Sequence, residues 1–425
     1  MTLKFRILAG SALAGLLVTG NASAETLEDA VASAVLSNPQ LESQRVESDI
    51  ARESLQQARA GGRTTVTVGG SAGYQYTDTN SPFSLSNGDS GAFSTQVQAT
   101  KPIYTGGRIS AGIRQAKAGI SAADAQYEAA QQDLILEVIT AYMDVRRDRE
   151  TVSIRENNVE VSTEQVRAAE DRFEVGVVTR TDVSLARANF EGARASLAGA
   201  ESALQTSLAN YSFLTGLVPG DLAPPPPVPP LPKSLEEATR LGLDANPDMI
   251  AARHSERAAM EAIEAAKAQG RPTVNLVGTA QTQYSKFETR NVQQSSVSGV
   301  VQGSIPIMTG GLVKSQTKAA RLRRDQARRQ IDALDRSIRA QVASAWYGYD
   351  ATLRAIEASK RQVDAAEIAY DGAKEELAVG VRTTLDVLNQ EQQLFEARLA
   401  LVQAERDAYV AAHQLLRATG QLAQP

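Results

Sequence analysis

The 425-residue chain contains no cysteine, two histidines, one tryptophan and only 5% aromatic residues. Without cysteine it can hold no disulfide, thiolate zinc site, iron–sulfur cluster or thiol nucleophile, and no lipid anchor on an N-terminal cysteine. The scarcity of large aromatics disfavours thick globular cores and suits thin packing seams between helices. With 44 basic against 49 acidic residues the net charge is only −5, and no basic stripe interleaved with aromatics exists, which excludes nucleic acid as the expected partner. His254 and His413 read as surface residues of helices, and no acid–nucleophile set, P-loop or Gly-x-Ser-x-Gly elbow accompanies them. No enzymatic activity, cofactor or metal is expected. Nor does any stretch approach the roughly 20 consecutive apolar residues of a membrane-spanning helix. If the chain enters a bilayer, strands must take it there.

What is present begins with an export signal over residues 1–24. Lys4 and Arg6 form a positive start, 7–19 is apolar or small, and Ala22-Ser23-Ala24 is a small-x-small cleavage site before Glu25. A lipid-anchored form is excluded because Glu25, not cysteine, follows that site.

The remainder is one unit written twice, over 25–218 and 234–420, with a short tail at 421–425. Leu27-Glu28-Asp29-Ala30 with Asn38-Pro39 returns as Leu235-Glu236-Glu237-Ala238 with Asn246-Pro247, and Arg63 returns as Arg271, at a spacing of 208. Further on the spacing is 204: Pro102-Ile103-Tyr104-Thr105-Gly106-Gly107 returns as Pro306-Ile307-Met308-Thr309-Gly310-Gly311, and Val175-Gly176-Val177 as Val379-Gly380-Val381. The length change therefore falls in a loop between two strand regions. A proline-rich tether at 219–233 joins the copies.

Each unit reads helix, strand, strand, very long helix, turn, helix. Helices are expected at 26–60, 108–174 and 182–214, and again at 234–268, 312–378 and 386–418. Val138, Val145, Val152, Val159, Val166 and Phe173 keep a spacing of seven, and the copy supplies Val342, Tyr349, Ile356, Val363, Tyr370 and Leu377. A second set, Ile154, Val161, Ala168 and Val175, lies about 200° around the same helix. Such a helix needs a neighbour on each side, as a stave in a closed wall does. Each long helix would reach roughly 100 Å and the returning helix about half that, so the opening helix, broken at Asn38-Pro39, is expected to stack end to end on the returning one.

Strands are expected at 64–76, 93–104, 273–284 and 296–307. Val66, Val68, Ala72, Tyr74 and Tyr76 alternate with Thr65, Thr67, Ser71 and Gln75, and Phe93, Val97, Ala99 and Ile103 with Ser94, Gln96, Gln98 and Thr100. The later pair sets Val274, Leu276, Ala280 and Tyr284, then Val297, Val301 and Ile305, against small polar residues. Period two over about a dozen residues fits a transmembrane β-barrel. Four strands close no barrel and open edges are not tolerated in lipid, so the chain must oligomerise.

The doubled helix–strand–strand–helix–helix unit, the Thr-Gly-Gly after each second strand and the two Val-Gly-x5-Asp-Val turns resemble the TolC family of outer-membrane export channels over nearly all of 25–420. The resemblance implies a mainly α, α+β membrane protein: a homotrimer whose four strands per chain share a twelve-stranded outer-membrane barrel, continuous with a periplasmic α-barrel of long coiled-coil helices. It implies a passive exit duct for type I protein secretion, multidrug efflux or both, working with a periplasmic adaptor and an inner-membrane pump or ABC transporter. The turns become periplasmic tips, with Val175, Gly176, Val177, Val379, Gly380 and Val381 facing the adaptor. Asp386 matches a carboxylate ring at the pore constriction, and Arg382 and Asp182 match residues whose polar links hold the entrance shut. Asn389 stands in place of a second acidic ring and Leu377 in place of a tyrosine of the closing network. Asp182 and Asp386 also read as ordinary caps of the helices they open. The alternative is a soluble periplasmic coiled-coil adaptor or scaffold, which accounts for the heptads and the signal but leaves the strands without a role.

Overall fold

The computed structural model describes residues 24–77, 88–287 and 291–422. Apart from Ala24, the expected export signal lies outside them. In chain order the elements are α1 (Leu27–Ser37), α2 (Pro39–Ala60), β1 (Thr65–Thr77), β2 (Gly88–Tyr104), α3 (Arg108–Glu174), α4 (Arg180–Thr215), α5 (Leu235–Ala245), α6 (Pro247–Ala268), β3 (Thr273–Phe287), β4 (Asn291–Ser304), α7 (Leu312–Ala378) and α8 (Thr384–Ala418).

The helices stand side by side as staves. Next to the sheet the order across the chain is α2, α3, α6, α7; in the far half it is α4, α3, α8, α7. Short helices join into longer staves through their caps. The Asn38 side chain accepts from Gln40 N and Leu41 N, opening α2, and its amide donates to Leu214 O at the end of α4. Asn246 does the same between α6 and α8, accepting from Asp248 N and donating to Ala418 O. One side chain thus satisfies the orphan groups of two helix ends that abut.

The duplicated sequence meets unequal surroundings. Helix α3 has neighbours on both sides and buries Val138, Tyr142 and Val145 completely. Helix α7 is equally long at 67 residues but packs against α5, α6 and α8 on one side only, and just Ala320, Ile338, Val342 and Ala373 are buried along it. On the second face, Ile154 and Val161 of α3 are half-buried, whereas their counterparts Ala358 and Ala365 are exposed. The main core sits midway along the staves, where α1, α3, α4 and α8 converge. There Glu25 pairs with the proline-rich tether through Ala223 N→Glu25 O (2.9 Å), and the Tyr142 and Tyr211 hydroxyls donate to Ala223 O and the Glu25 carboxylate at 2.7 Å each.

The four strands form one antiparallel sheet in the order β1-β2-β3-β4. Rows of facing residues keep the alternation: Val68, Val97, Ala280 and Val297 cross one face, and Thr67, Gln98, Thr279 and Ser298 the other. Three departures from strict alternation appear. The register shifts between Pro102 and Tyr104, so Tyr104, not Ile103, stands opposite Val274. Strand β4 ends at Ser304, which leaves Ile305 outside the sheet. A polar row, Gly70, Thr95, Thr282 and Ser295, crosses the apolar face, and the Thr282 and Ser295 hydroxyls bond each other at 3.2 Å, which lowers the cost of placing them there.

His413 corrects another expectation. It is 3% exposed, its Nδ1 lies 2.8 Å from Tyr409 O, and burial lowers its pKa. Its helix is packed by both long helices, so a position that a single helix would show to solvent faces a neighbour instead. Leu415, two residues further on and packed with Ile338 and Val342, is fully buried. Leu415→Ala is expected to cost about 2–5 kcal/mol by the usual cavity penalty, read as a lower midpoint in denaturant unfolding of the purified protein.

Candidate functional site

The two turns that reverse α3 into α4 and α7 into α8 are built alike. Helix α3 ends at Glu174 with Val175 as its C-cap, and Gly176 adopts φ 76°, a conformation a side chain would strain. Gly176 N donates to Phe173 O and Val177 N to Arg172 O, both at 2.9 Å, closing the last turn with a left-handed glycine cap. Gly380, at φ 80°, repeats this with Leu377 O at 3.0 Å and Glu376 O at 2.9 Å from Val381 N. Both glycines have open space where a Cβ would stand, and Val175, Val177, Val379 and Val381 are each more than two-thirds exposed. Four exposed valines on two tips are an apolar surface without an occupant in the single chain.

The next helices begin two residues earlier than the sequence reading has them. Thr179 and Thr383 are the N-caps, and Asp182 and Asp386 are the third residues of capping boxes. Asp386 Oδ2 accepts from Thr383 N (3.0 Å) and Thr383 Oγ1 (2.7 Å). Asp182 Oδ2 accepts from Thr179 N and Oγ1, both at 2.8 Å. These bonds to the charged form hold both carboxyls below their ordinary range, with Arg382 adding a smaller pull on Asp386. The Thr-x-x-Asp spacing is the sequence signal for these caps, with the threonine and not the aspartate at the N-cap.

Of the residues singled out from the sequence, Asp182 and Leu377 are brought together. They line one small cleft, about 120 Å³, between the two tips, with Val178, Val387 and Leu388. Arg382 is not placed against Asp182; its Nε bonds the Glu376 carboxylate six residues back. Asn389 is exposed one turn beyond Asp386 on the same side of α8.

Sequence reasoning missed Glu391. It is 4% exposed on α8 and accepts from Gln165 Nε2 of α3, joining the two repeats just above the tips. Its other oxygen, Oε1, has no hydrogen-bond partner among the described residues. Burial raises its pKa, against smaller opposing pulls from Gln165 and from Lys374 of α7.

Strands with two unpaired edges, staves with an unpartnered face and two glycine-capped tips form a wall of sheet and helices open along both sides. The outer membrane efflux protein family model matches residues 30–217 and again 240–421, and the chain belongs to that family. It is 31% identical to the outer membrane efflux protein BepC of Brucella suis, over 99% of this chain and 91% of that one. It is 30% identical to the outer membrane protein TolC of Escherichia coli, over 92% and 82% of the two chains. Among solved structures, the outer membrane protein VceC of Vibrio cholerae superposes with a TM-score of 0.77 at 22% identity, covering 93% of this chain and 96% of that one. The protein is an outer-membrane efflux protein with the TolC-like fold, and the soluble-adaptor alternative falls.

A carboxyl whose pKa is raised in the fold lends stability below its ordinary range, and that contribution is lost as pH rises through the raised value. Glu391→Gln removes the buried charge while keeping the volume. Its thermal midpoint is expected to equal that of the unchanged protein in acid and to exceed it increasingly towards neutral pH; parallel profiles would show that Glu391 is not desolvated.

Proposed function

We propose that three copies close a twelve-stranded barrel through the outer membrane, continuous with a helical wall through the periplasm, as the passive exit duct of a tripartite export system. A periplasmic adaptor engages 175–177 and 379–381, an inner-membrane pump or ABC transporter supplies the energy, and the duct itself performs no chemistry. The observation that supports this most directly is that the sheet of an outer-membrane protein has β1 and β4 as open edges while α7 has a bare face on the same side as β4. Unpaired peptide groups are not tolerated in hydrocarbon, and identical copies satisfy both deficits at once.

In that assembly three Asp386 carboxylates ring the constriction and favour cations. Asn389 contributes no charge, so one ring carries the selectivity. Asp182, Arg382 and Leu377 line the closed entrance, with Arg382 exchanging Glu376 for Asp182 when the tips come together.

The assembly predicts a detergent-requiring outer-membrane trimer that dissociates on heating; a monomer free in the periplasmic fraction would sink it. Gly380→Asp should abolish export yet leave trimers intact, because the tip and not the barrel is altered. Culture supernatant and drug sensitivity of a strain carrying this variant, beside a strain without the gene, then separate protein from drug cargo. In planar bilayers Asp386→Asn should lower the cation preference several-fold, and an unchanged reversal potential would place the constriction elsewhere.

A further inference from the structure

The internal repeat joins its two copies inside the chain through a set of contacts whose counterparts stand unused on the chain's outer edges. Between repeats, Arg114 of α3 pairs with Glu261 of α6 at 2.8 Å. Shifted by the repeat spacing, Arg114 becomes Lys318 on α7 and Glu261 becomes Glu53 on α2. Both are exposed, and neither has a partner among the described residues.

A second contact behaves the same way. Arg271 crosses from the second repeat to the first and donates through Nη1 to Gly106 O at 2.9 Å. It sits so close that a Cβ on Gly106 would lie 2.6 Å from its own Cβ. The counterparts are Arg63, exposed at the α2–β1 corner, and Gly310-Gly311, which have similar positive φ values and nothing within 4 Å of where a Cβ would stand. The cradle is built and stands empty, and its arginine is on the far edge of the same chain.

The strands complete the set. Ser94 of β2 faces Gln283 of β3, and Gln98 faces Thr279. The same shifts put Ser298 of β4 opposite Gln75 of β1 in a second copy, and Gln302 opposite Ser71. They also set Val301 opposite Ala72 and Val297 opposite Tyr76, so the apolar face continues across the joint. A slip by one residue would put those valines on the polar side.

We propose that the joint between copies repeats the joint between repeats: Arg63 of one copy seats on Gly310-Gly311 of the next, Lys318 pairs with Glu53, and β4 joins β1 with Ser298 facing Gln75. The occupant of the bare α7 face is therefore α2 of a second copy next to the sheet. This rests on the trimeric reading above and adds its register and its contacts. The resemblance ends lower down. The internal ties Arg406–Asp144, Arg417–Asp133 and Gln165–Glu391 have as counterparts Ser202 and Gly348, Phe213 and Ser337, and Ala369 and Arg187. Copies are held by polar contacts in the half beside the sheet and not by these ties towards the tips.

Because the chain lacks cysteine, a Gln75→Cys, Ser298→Cys double variant tests the register directly. Directly facing strand residues lie about 4.5–5.5 Å apart, within disulfide reach, whereas a partner two residues off lies about 7–8 Å away. Mild oxidation of detergent-extracted trimers should give a covalent trimer on a denaturing gel without reductant, while each single variant and the Gln75→Cys, Ser296→Cys pair stay monomeric. Native trimers that link through Ser296→Cys, or through neither pair, overturn the register and leave the trimer standing; a chain that never forms trimers overturns the channel reading as well. Independently, Lys318→Glu or Glu53→Lys should lower the temperature at which trimers dissociate, and the two together should restore most of it. Singles without effect, or a double variant no better than either, overturn the ion pair.

Discussion

An antiparallel sheet placed in hydrocarbon must hydrogen-bond every peptide group to itself, and this chain's sheet fails that requirement at both edges. The rest of the molecule is arranged around that deficit. The staves continue below the sheet in the same lateral order, α2 and α4 beneath the β1 edge and α7 beneath the β4 edge, so an unpaired strand and an unpartnered helix face always occur together. Remedying one without the other would leave either orphan peptide groups in lipid or a bare two-sided helix in water. Identical copies placed edge to edge remedy both, and a duplicated chain already contains the joint that such copies require.

That duplication explains why two helices with equal length and equivalent heptads differ so much in burial. Sequence sets which faces are apolar; neighbours decide whether they are covered. Val342 of α7 is as buried as Val138 of α3 because α5 and α8 reach it, yet further along the same helix Tyr347 and Ile368 are 61% and 75% exposed. Exposed large apolar side chains on α7, with Val46, Ile50 and Phe213 on the opposite edge helices, are the surfaces that the proposed trimer would bring together as one packing seam.

Most of the architecture was legible because its signals are periodic or use residues with narrow conformational demands. Seven-residue spacing without proline marks 108–174, Asn38-Pro39 breaks the opening helix, and Thr-Gly-Gly launches α3 and α7 through positive-φ glycines. What escaped the sequence depends on approach through space. His413 is interior because two long helices flank α8, and Glu391 is buried because α3 brings Gln165 onto it. Arg382 finds Glu376 only after the glycine turn folds the chain back by six residues. The bulge at Ile103 obeys the geometry of strand giving way to helix, which alternation of apolar and polar residues does not encode. At the tips the misplacement was small and had a local cause: the threonines cap and the aspartates close the box.

In the proposed trimer three Asp386 carboxylates would share one narrow mouth. Three like charges brought together raise one another's pKa and favour protonation, which would extinguish the selectivity they create. Asp386 counters this from within its own turn. Both of its capping bonds fall on Oδ2 and favour the ionised form, and Oδ1 keeps no partner among the described residues. One oxygen therefore anchors the helix and holds the charge, and in the proposed trimer the other would be available to a passing cation. Helix capping and the proposed ion selection would not compete for Asp386: the first supplies the electrostatic condition under which the second could persist.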